Sequence, residues 1–194
     1  VSEMIGVYNE QRTAHALAWL LHRGGPMPVY KLLRILYCAE RLSLRQYAEP
    51  LTGDEIMATG VGPVQVHTSA ILNGTGKGAV DGIAAWVTQD GERLCRLRAP
   101  IAGAEDIEQV LVHLSDSDVE CLKEASEILA RYSVYTLASM ALIGALPEWN
   151  ARQPFGARIP LARILEALQY SPAQVESIID KHREREALAV ALAA

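Results

Sequence analysis

Lys31-Leu32-Leu33-Arg34-Ile35-Leu36-Tyr37-Cys38-Ala39-Glu40-Arg41, followed by Leu44-Arg45-Gln46-Tyr47-Ala48-Glu49-Pro50-Leu51-Thr52-Gly53-Asp54 and then Gly62-Pro63-Val64, is the stretch that decides how this chain folds. Pro28 ahead of it suits a first helical turn, where a missing N–H is no loss. Leu32, Leu33, Leu36, Tyr37, Ala39 and Leu44 form an apolar face, with Lys31, Arg34, Glu40, Arg41 and Arg45 at other positions. That spacing predicts an amphipathic helix. Pro50 ends it, and Leu51-Thr52-Gly53-Asp54 predicts a turn into an extended piece over 55–59, which Gly60, Gly62 and Pro63 break. Lys31 and Glu40 fall on different helix faces, so each must find its partner elsewhere, and a buried Glu40 requires a donor.

Upstream, Ala14, Leu17, Ala18 and Leu21 recur at helical spacing over 8–22, and Gly24-Gly25-Pro26 stops that helix. Downstream, 64–72 has a helical pattern closed by Asn73-Gly74, and 75–82 is rich enough in glycine to predict a mobile loop. Residues 83–88 and 93–97 are β-prone runs around Gln89-Asp90-Gly91-Glu92, a hairpin signal. Ser115 with Asp118 resembles a capping box ahead of Val119, Leu122, Ala125, Ile128 and Leu129, and Ser133 caps a further helix to about Gly144. Pro147-Glu148-Trp149 interrupts the pattern, and 150–158 reads as a loop. Pro160 opens a helix through Leu161, Ile164, Leu165 and Leu168, and Ser171-Pro172 opens the last one. The expectation is one α+β domain over 1–194, predominantly α-helical with a small antiparallel β-hairpin or sheet.

The 194 residues are 50% hydrophobic and 21% charged, enough for one buried core. A formal net charge of -5 supplies no global field toward nucleic acid or an anionic membrane. Cys38, Cys95 and Cys121 are odd in number and widely spaced, which fits reduced thiols and a cytoplasmic protein. Apolar stretches are interrupted well before the roughly 18 residues a membrane span needs. His15, His22, His67, His113 and His182 show no metal-ligand spacing, and no cysteine pair has CxxC spacing, so neither a metal nor another cofactor is expected. There is no Gly-x-Ser-x-Gly elbow, and Gly74-Thr75-Gly76-Lys77-Gly78 is a glycine-rich loop without the phosphate-loop pattern. The expectation is a binding protein and not an enzyme.

The ordered set from Lys31 to Asp54 with Gly62-Pro63-Val64 resembles the signature of the Panacea domain. This is the SocA-like antitoxin family of bacterial toxin–antitoxin systems, to which phage-associated GepA-like proteins are related. Leu114-Ser115, Tyr132-Ser133, Leu137, Pro147-Glu148-Trp149, Ile159-Pro160 and Ile164-Leu165-Glu166-Ala167 resemble its second half, extending the match over about 14–168 and leaving 169–194 as a C-terminal helix and tail. Ala48 stands where the family usually has Gly, Thr59-Gly60-Val61 replaces a more basic and aromatic segment, and Gly144 stands where His is frequent. The resemblance implies a mostly helical α+β domain that neutralises a cognate toxin, in one arrangement as an adaptor delivering it to a ClpXP-type protease. Family members are paired with many unrelated toxins, so the resemblance does not name the partner.

Candidate partner contacts are Thr52, Gly53 and Asp54 in the turn, Gly62 and Pro63 beyond it, Trp149, and a basic stripe of Arg34, Arg41 and Arg45 beside Lys31. Each has a plain structural alternative: turn residues satisfy local backbone groups, Trp packs on its own core, and charge runs are often solvated faces. The same stripe supports a rival reading, a nucleic-acid-binding regulator, against which the acidic composition counts. Leu192, Ala193 and Ala194 resemble the small apolar tail of a degradation tag, the alternative being a fraying helix end. A homo-oligomer is compatible with all of this.

Overall fold

The computed structural model describes residues 7–91, 93–101 and 107–193, so Glu92 of the expected hairpin turn and Ala194 of the tail lie outside the described residues. Asn9 starts the first helix: its side chain accepts from the Arg12 N–H, filling one of the donors a helix start leaves open. Helix α1 runs Glu10–Gly24 and stops at Gly25, whose φ of 70° lets its N–H turn back to the Leu21 carbonyl. A two-residue strand β1 (Met27–Pro28) leads into α2 (Val29–Tyr47), which ends at Ala48 in the left-handed region (φ 55°, ψ 24°). Strand β2 (Ile56–Thr59) pairs antiparallel with β3 (Gly62–Gln65), Thr59 opposite Gly62, with Gly60 and Val61 at the tip.

Next come α3 (Val66–Leu72), α4 (Ile83–Trp86), β4 (Val87–Gln89) and β5 (Leu94–Leu97). The second sheet has the order β1-β5-β4, antiparallel throughout. Two expectations are corrected here. Residues 62–65, expected partly inside a helix, form β3. Residues 83–86 are a helical turn, because Ala84-Ala85 favours helix and the Ala85 N–H closes onto the Gly82 carbonyl, leaving 87–89 as the strand. The glycine-rich loop before it is tied to α1: the Glu10 carboxylate accepts from the Ala79 and Ile83 N–H groups at 2.9–3.1 Å.

Helix α5 (Ile107–Val110) precedes α6 (Asp116–Leu129), whose capping box is complete: the Asp118 N–H donates to the Ser115 hydroxyl and the Ser115 N–H to the Asp118 carboxylate. Helix α7 (Val134–Met140) continues as a π-helical turn (Ala141–Ala145) that opens at Gly144, φ 90°. Helices α8 (Leu161–Ala167) and α9 (Pro172–Ala193) close the chain. The fold is therefore α+β, predominantly helical with small antiparallel sheets.

Two apolar clusters form the interior and α2 feeds both. Leu32, Leu33, Ile35, Leu36 and Ala39 join α1, α6 and the three-stranded sheet in the first. Tyr37 and Leu44 join the β2–β3 hairpin, Trp149, α8 and α9 in the second. Each fully buried Leu or Ile in these clusters is stabilised by about 1.5–3 kcal/mol relative to exposure. Among the described residues no single helix is long and apolar enough to cross a membrane.

Candidate functional site: a groove along helix α2

The turn expected to face a partner is an interior clamp. Glu40 is fully buried, and its carboxylate accepts from the Leu51 N–H (3.1 Å), the Thr52 N–H (2.9 Å) and the Thr52 hydroxyl (2.7 Å). Burial pushes this carboxyl up to about 7 against the pull of the Thr52 and Leu51 donors, and the nearby Asp54 charge adds to the rise. Asp54, also fully buried, accepts from the His67 N–H (3.0 Å), the Thr68 N–H (2.8 Å) and the Thr68 hydroxyl (2.7 Å), and lies 2.9 Å from His67 Nδ1. Gly53 holds φ 70°, and a Cβ there would stand 2.6 Å from the Val7 carbonyl oxygen. Thr52, Gly53 and Asp54 thus fasten the α2 exit to the start of α3, and the side chains of Thr52 and Asp54 are turned inward, not exposed as expected. Polar residues satisfying buried backbone groups look, in sequence, like those of an exposed turn.

Gly62 and Pro63 are likewise buried, beside Arg34. Arg34, only 5% exposed, donates to the Val61 carbonyl (2.8 Å), the Pro63 carbonyl (3.2 Å) and the Tyr30 hydroxyl (3.0 Å). Gly62 has φ 124°, and a Cβ on it would meet Arg34 Nη2 at 2.3 Å. Arg41 bonds Glu148 at 2.9 Å, and the buried Glu148 also accepts from the Tyr37 hydroxyl at 2.7 Å. Burial and the Glu148 charge hold the Tyr37 phenol well above its ordinary range. Trp149, 4% exposed, packs in the second cluster and donates from Nε1 to the Thr59 carbonyl at 3.1 Å. The solvated basic stripe therefore does not form: Arg34 is inside, Arg41 is neutralised, Lys31 reaches the Ala130 carbonyl at the end of α6, and Arg45 alone is exposed without a side-chain partner among the described residues. A phosphate-gripping surface loses its basis with it.

What the fold does present is a groove of about 330 Å³ between α2 and the α6–α7 arm. Its α2 wall is Arg34, Tyr37, Cys38, Arg41, Leu42 and Arg45, a helical stripe of three- and four-residue steps. Ile128, Leu129, Tyr132, Leu137 and Met140 face it, with the π-helical turn and Leu168 closing one end. Burial pushes the Cys38 thiol up to about 11, so it is a packing group at neutral pH and not a nucleophile. On the arm, Tyr135 is 86% and Ile143 82% exposed, with Leu142 exposed between them and the groove-lining Ala141. An apolar groove, with further exposed apolar side chains on the arm that walls it, is the usual surface chemistry of a protein contact. The spacing 34, 37, 38, 41, 42, 45 was visible in the sequence as a second face of α2; its opposite wall was not, because it comes from residues nearly a hundred positions later.

Among the described residues no group of three His, Cys, Asp or Glu side chains stands close enough to hold a metal ion. Of the tail, Leu192 is exposed at the end of α9, and Ala194 lies outside the described residues. The sequence model of the family described as "Antitoxin SocA-like, Panacea domain" matches residues 32–142, a narrower span than the signature suggested but more than half of the chain. No curated protein and no solved structure matches it. The matched span takes in α2 from Leu32 onward, the Glu40–Thr52–Asp54 clamp, the β2–β3 hairpin and both long walls of the groove, and the chain belongs to the SocA-like antitoxin family, of which it carries the Panacea domain.

Proposed function

We propose that this chain is an antitoxin that neutralises a cognate toxin by binding it, residues 1–194 acting as one non-catalytic unit in the cytoplasm. Family membership supports the class of partner. The observation that carries the mode of action is the open apolar groove along α2, with Tyr135, Leu142 and Ile143 exposed outside its lining on the arm that forms the far wall. Apolar and aromatic side chains at such a centre contribute most of the affinity of a protein contact. The test is co-expression with the product of the adjacent reading frame. That protein should arrest growth alone and be harmless beside this chain, and a chain that fails to rescue, while present and folded, refutes the reading.

Neutralisation takes one of two routes, direct occlusion or delivery to a ClpXP-type protease. The exposed apolar end of α9, with Leu188, Val190 and Leu192 facing solvent, supports a protease-facing role for the tail. Removing residues 192–194 should lengthen the cellular half-life of the chain; an unchanged half-life sinks the degron.

A further inference from the structure

We infer that the α2 groove receives an amphipathic helix bearing an acidic side chain, supplied by the partner toxin, with its carboxylate set against Arg45. The identity of the donor rests on the antitoxin reading; the chemistry of the occupant does not. Three guanidinium groups line the α2 wall, and among the described residues the one carboxylate bonded to any of them, Glu148, is shared between Arg41 and the Tyr37 hydroxyl. Arg34 is held by two carbonyls and a hydroxyl, and among the described residues it meets no carboxylate and its buried Nε has no partner. Arg45 has no side-chain partner among the described residues. With Arg41 paired to Glu148, Arg45 is the solvent-facing charge of a largely apolar wall, and Glu124 acts on Cys38 within the groove.

Charge and backbone bonding together select the occupant. Any apolar segment covers Leu42 and Ile128, but one without an anion strips water from Arg45 and gives nothing back, and a basic one is repelled. The α2 wall is a helix whose backbone groups are already bonded, and α6 and α7 form most of the other, so an extended strand laid between them would leave most of its own N–H and C=O groups unpaired. A helix satisfies its backbone internally and packs ridge into groove. From Arg34 to Arg45 the wall is about 16 Å long at the helical rise, room for three turns of a partner.

The full chain is panned against a random 16-residue peptide library displayed on phage, with counter-selection on Arg45→Glu and Ile128→Lys. Both positions are exposed, and thermal unfolding confirms that each variant folds. Enriched peptides should combine apolar residues at three- and four-residue spacing with Asp or Glu. A synthetic winner should bind the wild-type chain at least about tenfold more tightly than Arg45→Glu, and more weakly as salt rises. Enrichment of peptides without acidic residues, binding within about twofold by Arg45→Glu, or no enrichment over the variants overturns the inference. A chain that sediments as a dimer and becomes a monomer on Ile128→Lys also overturns it, since a second copy then covers the groove. Failure of toxin rescue with acidic helices still selected leaves the groove assignment standing and removes the antitoxin reading.

Discussion

Replacing Glu40 by Gln separates two contributions that the native carboxyl combines. The first is geometric. Oε1 accepts from the Leu51 N–H, while Oε2 accepts from both the N–H and the hydroxyl of Thr52. A Gln amide has one acceptor oxygen and one NH₂ group, so in either orientation one backbone N–H faces another donor. An unsatisfied buried donor costs about 1–3 kcal/mol, at every pH.

The second contribution is electrostatic and depends on pH. The folded protein raises the Glu40 carboxyl from 4.5 to about 7, so it holds that proton more tightly than the unfolded chain does. The resulting stability is fully present below pH 4.5, is lost as pH rises through the window to about 7, and is flat above it. A displacement of that size corresponds to about 3 kcal/mol. Gln has no such proton. The stability of Glu40→Gln minus that of the wild type should therefore rise by about 3 kcal/mol between pH 4 and pH 8, on top of the constant geometric loss. His15 has its ordinary range lowered by burial and by His113, which weakens the fold in acid, but it does so in both proteins and cancels in the difference. Urea unfolding at each unit of pH measures it, and the midpoint of the variant should move by about 1 M or more relative to wild type. Parallel pH profiles would refute the argument. A difference running the other way would show that the three donors outweigh burial.

Ala48→Gly should stabilise the fold by up to about 1 kcal/mol, because Ala48 sits at φ 55° where a Cβ is penalised, and the melting temperature reads it. Gly62→Ala should lose more than about 2 kcal/mol, since its Cβ would displace the Arg34 guanidinium at 2.3 Å; Gly60→Ala, two residues earlier in open space, should stay within about 0.5 kcal/mol in the same chemical unfolding series. Glu148→Ala leaves the Arg41 charge and the buried Tyr37 hydroxyl without their shared acceptor, and a loss of about 3 kcal/mol is expected. Glu148→Gln keeps an acceptor for Tyr37 and should lose clearly less in a parallel urea titration.

Local signals in the sequence carried through to the structure. The apolar face of α2, the Gly25 stop and the Ser115–Asp118 capping box all appear, because neighbouring residues along the chain settle each of them. The need of Glu40 for donors was legible too, and they come from Leu51 and Thr52, just past the helix end. The readings that failed concern exposure. Thr52, Asp54, Arg34 and Trp149 were candidate contacts on residue type, yet each satisfies a partner more than ten residues away or packs in the core, and residue type does not encode that. Strand β1 escaped notice because two residues including a proline have no period, and its place is fixed by β5.

These failures bear on how membership of the family relates to its biology. Several residues of the signature, Glu40, Thr52, Gly53, Asp54, Gly62 and Pro63, are spent on fastening α2 to the β2–β3 hairpin and to α3. A domain recognised by its internal fastenings is recognised by its scaffold, and the scaffold constrains exposed side chains on and around the groove walls only weakly. Tyr135, Leu142, Ile143 and Arg45 lie outside the clamp, and exposed positions of this kind accept substitution at little cost in stability. A single fold can then carry different contact chemistries on one groove. On this argument, exchanging these exposed residues between two members should move partner choice with them, whereas exchanging the Thr52–Asp54 clamp should change stability and leave partner choice in place.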